Sequence, residues 1–149
     1  MPVTVRLLVW ALVSALTVTP VASAETIAGT ATQWGLLGTW RLDCGTPAGS
    51  NDPGQTYVVR DGKLFHERAW GDRHDFSPVL SASVTNNGGL ELLVKFESFK
   101  QTRQWTMIKG DDGRVRIVSN RNVDTDEYAV RDGKFTVNGS TTPWQTHCQ

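Results

Sequence analysis

The feature that most constrains the fold is a series of short segments in which apolar and polar residues alternate. Residues 90–97 show the pattern most clearly, with Leu90, Leu92, Val94 and Phe96 on one face and charged residues on the other. Successive side chains of a β-strand point to opposite faces, so this pattern predicts a strand with one buried face and one wet face.

Turn signals separate these segments. Asp61-Gly62 and Asp132-Gly133 are two-residue hairpin signals, because a type I′ turn needs a positive φ at both central positions. No window after residue 24 shows a sustained helical period. The sequence therefore predicts an all-β fold, a small antiparallel up-and-down β-barrel of about 8–10 short strands. The predicted strands cover residues 36–42, 56–60, 64–70, 79–85, 90–97, 103–108, 114–119, 127–131 and 134–137.

The first 24 residues have the three parts of a secretory signal peptide. Arg6 supplies the positive charge, residues 7–16 form a short apolar run, and Ala22-Ser23-Ala24 is a small-residue cleavage site. The sequence thus predicts a signal peptide at 1–24 and a secreted or periplasmic protein. Residues 25–35 are small and polar and are predicted to form a flexible N-terminal arm. A single β-barrel domain is predicted at 36–149.

Charge and hydropathy limit the classes of partner. The chain has 15 basic and 15 acidic residues, and loss of Arg6 with the signal leaves a net charge of −1. A near-neutral domain lacks the basic footprint of a protein that binds nucleic acid. No second apolar run reaches the length of a membrane span. Neither a nucleic-acid partner nor a membrane span is therefore predicted.

The cysteine content predicts one disulfide. The chain has two cysteines, Cys44 and Cys148. In an oxidising compartment an even number of cysteines is typical of a disulfide framework. A redox or metal role would favour a C-x-x-C motif, and the sequence has none. The predicted bond would hold the C-terminal strand beside the first strand.

Gly38-Thr39-Trp40, in the first predicted strand, resembles the G-x-W signature of lipocalins and their calycin relatives. Those proteins are up-and-down barrels that hold one small, usually apolar ligand. The resemblance implies that Trp40 closes the base of the barrel and that an arginine from a late strand, Arg121 or Arg131, packs across it. The chain is also similar to small exported bacterial protease and lysozyme inhibitors, which are disulfide-tied β-barrels with an early Gly-x-Trp-like strand.

Motifs for catalysis or metal binding are not found in the sequence. His66 and His74 lie near carboxylates, but their spacing does not supply the three fixed ligands of a catalytic zinc site. Residues 124–127 are acidic but lack the glycine and the later glutamate of a calcium loop. There is no G-x-S-x-G motif. The sequence predicts no catalytic residue, no metal, no cofactor and no enzymatic activity.

The aromatic residues are the best candidates for a ligand pocket, because they supply flat apolar walls with a polar handle. Two functions follow. The first is an exported non-enzymatic binder of a small apolar or amphipathic molecule. The alternative is an exported protein-interaction module, such as a protease or lysozyme inhibitor. A continuous apolar cavity would favour the first, and a filled barrel with an exposed aromatic patch would favour the second. The predicted wall residues are Tyr57, Trp70, Phe96, Trp105 and Tyr128.

Overall fold

The described part of the chain is built mainly from β-strands. The computed structural model describes residue 1 and residues 25–49 and 51–149, apart from the side chain of Trp70. The signal-peptide prediction depends on residues that lie outside this description. The helical elements are α1 (Ile27–Trp34) and a short 3₁₀ helix (Glu97–Phe99). The strands are β1 (Gly38–Arg41), β2 (Gly54–Arg60), β3 (Lys63–Trp70), β4 (Arg73–Val84), β5 (Leu90–Phe96), β6 (Gln101–Lys109), β7 (Val115–Asn122), β8 (Tyr128–Arg131), β9 (Lys134–Phe135) and β10 (Thr146–Cys148).

The strands form one antiparallel sheet in the order β10-β1-β2-β3-β4-β5-β6-β7-β8-β9. From β1 to β9 each strand pairs with the next one in the chain, which confirms the predicted all-β, up-and-down arrangement. Both predicted hairpin turns have the required backbone: φ is 51° at Asp61, 73° at Gly62, 53° at Asp132 and 71° at Gly133. β4 begins six residues before the predicted start at residue 79, because residues 73–78 pair with β3.

The C-terminal segment connects the two sides of this sheet. Gln145 exchanges two backbone hydrogen bonds with Val115 of β7, with N···O distances of 2.7 and 3.0 Å. The next residues form β10, which pairs with β1 and places Cys148 opposite Thr39. The segment is thus bonded first to β7 and then to β1, while the β8–β9 hairpin continues past β7.

The predicted disulfide is confirmed. Cys44 and Cys148 are bonded, with their Cα atoms 5.5 Å apart. Cys44 follows β1 by three residues, and Cys148 is the last residue of β10. The bond therefore fastens the C-terminal strand beside the first strand, as expected.

The sequence predicts a flexible arm at residues 25–35, whereas the structure has a helix there that packs on the sheet. The Thr26 side chain accepts a hydrogen bond at the start of α1, and Gly35 ends the helix with a φ of 83°. Ala31 and Trp34 are buried, and α1 packs on β3 and β4. With 8 residues, mostly small, the helix is too short to display a sustained apolar period in the sequence.

The core fills the inner face of the sheet with the alternating residues that the sequence pattern indicates. Leu90, Leu92, Val94 and Phe96 of β5 are all buried there. Trp40 is buried with them at 3% exposure. Its indole N–H donates to the Leu36 carbonyl at 2.8 Å, so the buried polar atom is satisfied.

The ring of Trp40 is covered by His147 of β10, with ring centroids 4.7 Å apart. The two arginines that the lipocalin resemblance offers for this role have other partners in the described part of the chain. Arg121 bonds to Gln104 and Asp126, at 2.8 and 2.9 Å. The Arg131 guanidinium lies 4.1 Å from the centre of the Tyr128 ring. The implied arginine–tryptophan contact is therefore replaced by a histidine–tryptophan contact.

Candidate functional site

A pocket of about 280 Å³ opens where β3, β5, β6 and β7 approach one another. We call it the aromatic–arginine pocket, because three aromatic rings and two guanidinium groups form most of its wall. Its floor is continuous with the core, since Phe96 and Trp105 belong to both. The lining residues are Arg68, Phe96, Phe99, Gln101, Arg103, Trp105, Asn120 and Ala129.

Strand alternation and register bring these side chains together. Arg103 and Trp105 are two residues apart on β6 and therefore face the same side. Trp105 pairs with Leu92 on one side and with Asn120 of β7 on the other. Phe96 ends β5, and the 3₁₀ helix that follows carries Phe99 to the rim. That helix ends at Lys100, whose φ is 52°.

The aromatic residues form a layered wall. Phe96 meets Trp105 edge to face, with centroids 5.7 Å apart, and Phe99 lies 6.3 Å from Phe96. Edge-to-face packing at these distances is the favourable arrangement for aromatic quadrupoles. Phe99 is 51% exposed, whereas Trp105 is buried. The wall thus runs from a solvent-facing ring at the rim to a buried indole at the base.

The two arginines differ in how their charge is balanced. Arg68 forms an ion pair with Asp75 at 2.8 Å, and its guanidinium lies 5.3 Å from the centre of the Phe99 ring. Arg103 donates to neutral amides, to Asn120 at 3.0 Å and to Gln101 at 3.1 Å. Within the described residues, no carboxylate forms an ion pair with Arg103. The lining of the pocket therefore carries a surplus positive charge, although Asp126 and Glu127 lie with Arg103 in an adjoining open depression.

His66 lies at the base of the site and is 1% exposed. Its ring centre is 5.0 Å from that of Trp105 and 5.1 Å from that of Tyr57. Neither His66 ring nitrogen has a hydrogen-bond partner in the described chain, and neither does the indole nitrogen of Trp105. A buried polar atom without a partner costs about 1–3 kcal/mol, so these three atoms form an energetically costly cluster beneath the pocket.

The surroundings of His66 hold it neutral. Burial, and after it the nearby charge of Arg68, lowers the pKa of His66 to about 3, while Asp75 opposes the shift. Burial also raises the pKa of the Tyr57 phenol far above its usual value. Both groups are therefore uncharged at neutral pH, and the positive charge of the site comes from the arginines.

The depressed pKa of His66 predicts a loss of stability in mild acid. The unfolded state takes up a proton near pH 6.5, whereas the folded state resists it down to about pH 3. The unfolded state therefore binds more protons in this window, and stability falls as the pH falls. We expect a contribution of about 1 kcal/mol between pH 6 and pH 5. Urea titrations of wild type and His66→Gln should show that slope in wild type alone.

His74→Gln is the control for this experiment, because His74 is exposed on β4. It should keep the wild-type slope between pH 6 and pH 5. Equal slopes in wild type and His66→Gln would show that His66 is solvated in solution.

The structure does not bring the five predicted wall residues together in one pocket. Phe96 and Trp105 line the aromatic–arginine pocket. Tyr57 lies deeper, against His66, with its hydroxyl 3.8 Å from the Met107 sulfur. Tyr128 lies in an adjoining open depression of about 530 Å³, which shares Arg103 and Ala129 with the aromatic–arginine pocket. Trp70 ends β3, and its side chain lies outside the described part.

Six of the eight residues that line the pocket were not predicted from the sequence, and three of them, Arg68, Phe99 and Arg103, form much of its wall. Arg103 could have been found, because it alternates with Trp105 on a correctly predicted strand. Arg68 alternates with His66 on β3 in the same way. No sequence pattern pointed to Phe99, because its position at the pocket depends on the tight turn that follows β5.

A second cavity adjoins the site. It also measures about 280 Å³ and shares Asn120 and Ala129 with the aromatic–arginine pocket. Its wall is mainly apolar and includes Ile117, Val130 and Phe135. A ligand that fills both cavities would contact charged and aromatic side chains on one side of Asn120 and apolar side chains on the other.

Among the described residues, no group of three or more His, Cys, Asp or Glu side chains is placed to hold a metal ion. No helix in the described part of the chain has the length and apolar character needed to cross a membrane. Comparison of the chain with protein-family models, with curated proteins and with solved structures finds no match.

Proposed function

We propose that this protein is an exported, non-enzymatic binding protein for a small amphipathic molecule, held in the aromatic–arginine pocket. The observation that carries the proposal is the composition of that pocket. Rings of Phe96, Phe99 and Trp105 face guanidinium groups within about 280 Å³. Ligand sites are typically concave and apolar, with a few polar groups that orient the guest.

The proposed architecture is a calycin-type barrel. It is supported by the C-terminal segment, which bonds to β7 through Gln145 and to β1 through β10. It is also supported by the burial of Trp40 in the first strand. In such a barrel the inner faces of the strands surround one cavity, and α1 would cover one end. Export is supported by the N-terminal sequence and agrees with the disulfide.

The test uses a neutral fluorescent probe, N-phenyl-1-naphthylamine, with the oxidised mature protein. We expect saturable one-to-one binding that quenches tryptophan emission, because Trp105 forms part of the wall. Phe99→Ala should weaken binding at least fivefold. Its free energy of unfolding should change by less than about 1 kcal/mol, since Phe99 is half exposed. Trp105 is less useful here, because it belongs to both the wall and the core.

Phe76→Ala is the matched control, because Phe76 is 42% exposed and lies on the outer face of β4. It should leave probe affinity unchanged. If the probe fails to saturate, or if both alanine variants weaken it equally, the binding proposal is wrong.

The protein-interaction alternative has one observation in its favour. Phe65 and Phe76 stack on the outer face with ring centroids 4.3 Å apart, and Arg60 lies over Phe76 at 4.7 Å. Leu80 is exposed on the same strand. A stacked aromatic pair with one exposed ring, beside a cation, suits a protein interface. Phe76→Ala would then abolish inhibition of a partner hydrolase, whereas Phe99→Ala would leave it intact.

A further inference from the structure

We infer that the guest of the aromatic–arginine pocket is an aromatic carboxylate with one or two rings. This inference depends on the proposed binding function and names its ligand class. It follows from the charge at Arg103, the free donor at Trp105 and the arrangement of the rings.

The charge favours an anion. Arg103 is half buried, and its hydrogen bonds in the described chain go to the neutral amides of Gln101 and Asn120. A guanidinium presents five donors in a planar fork, so it keeps donors for a carboxylate after these two bonds. The two amides hold the side chain in position and do not neutralise it. Arg68, by contrast, is balanced by Asp75.

The buried indole nitrogen points to the same chemistry. Trp105 lines the pocket and is buried, and its Nε1–H has no acceptor in the described chain. An indole N–H can only donate. Because the atom is buried, a guest reaches it only when neighbouring side chains move, and an acceptor such as a carboxylate oxygen would then satisfy it. A guest that brings only donors would leave it unpaired.

The aromatic rings and the pocket volume indicate the size and shape of the apolar part of the ligand. Phe96, Phe99 and Trp105 pack on one another with centroids 5.7 and 6.3 Å apart, so they form a continuous aromatic surface against which a flat ring can pack. A volume of about 280 Å³ corresponds to about nine water molecules at about 30 Å³ each. That space suits one or two fused rings with a carboxylate.

The test is isothermal titration calorimetry of the oxidised mature protein with three probes: 2-naphthoate, 2-naphthamide and decanoate. We expect one-to-one binding of 2-naphthoate. The amide has the same rings without the charge and should bind at least tenfold more weakly. Decanoate has the charge without the rings and should also bind at least tenfold more weakly. Added salt should reduce the preference for the acid over the amide.

Substitutions show which residue causes the preference for the acid over the amide. Arg103→Gln should remove the preference for the acid, and Arg103→Lys should restore much of it. Arg121→Gln is the control, since Arg121 does not line the pocket and is paired with Asp126. It should behave as wild type. Thermal melts check that each variant is folded.

The binding results distinguish an error in the ligand class from an error in the proposed binding function. If 2-naphthoate and 2-naphthamide bind equally well, the inferred anion selectivity is wrong, although the binding proposal stands. If decanoate binds as tightly as 2-naphthoate, the inferred aromatic selectivity is wrong. If N-phenyl-1-naphthylamine binds and none of the three probes does, the ligand class is wrong. If that neutral probe also fails, the proposed function itself is overturned.

Discussion

Replacement of Trp40 by alanine is expected to lower the free energy of unfolding by about 3–5 kcal/mol, the usual range for removing a large buried aromatic side chain. Trp40 is 3% exposed, and its ring packs on His147. The substitution removes this contact area, leaves a cavity between β1 and β10, and deprives the Leu36 carbonyl of its donor. Urea denaturation followed by circular dichroism measures the change.

Trp40→Phe separates packing from hydrogen bonding in that result. Phenylalanine keeps much of the apolar area but cannot donate to Leu36. We expect a loss of about 1–2 kcal/mol, mainly from the unpaired buried carbonyl. A loss below about 1 kcal/mol for Trp40→Ala would mean that the indole is exposed in solution, and the calycin comparison would then fail.

Loss of the disulfide is expected to have an effect of similar size. The two cysteines are 104 residues apart in sequence, and chain entropy predicts a contribution of at most about 4.7 kcal/mol for a loop of about 100 residues. The value should be smaller in practice, because residual structure already limits the entropy of the unfolded chain. Comparing oxidised wild type with Cys44→Ala/Cys148→Ala in urea measures it.

Reduced wild-type protein is the control for the double variant, and both should lose the same stability. Non-reducing peptide mapping of exported protein provides an independent check. Two free thiols in that map would show that the bond does not form in the cell. Because His147 precedes Cys148 and covers Trp40, loss of the bond and of Trp40 should not be additive.

The period-2 pattern and the turn residues carried enough information to predict the strands. Asp61-Gly62 and Asp132-Gly133 adopt the positive φ values that define their hairpins. Leu90 to Phe96 alternate inward as predicted. These are local properties, because alternation depends only on the pleat of one strand and a tight turn depends on two residues.

The face on which Tyr128 lies could not be predicted in this way. Val130 pairs with Asn120, which lines the pocket, but Tyr128 pairs with Arg121, which bonds to outward residues. A register shift between Asn120 and Arg121 causes this difference. A shift of one residue moves a side chain to the opposite face, and nothing in the sequence of β8 marks it.

The sequence by itself determined the strand pattern, the hairpins and the pairing of Cys44 with Cys148. Only the tertiary structure decided that Arg103 lines a pocket without a carboxylate partner in the described chain, and that His66 lies buried beneath it. The reason is that the pocket is assembled by side chains from β3, β5, β6 and β7. Their meeting depends on registers, a bulge and a 3₁₀ turn that act across the sheet, whereas the pattern of each strand reports only its own two faces.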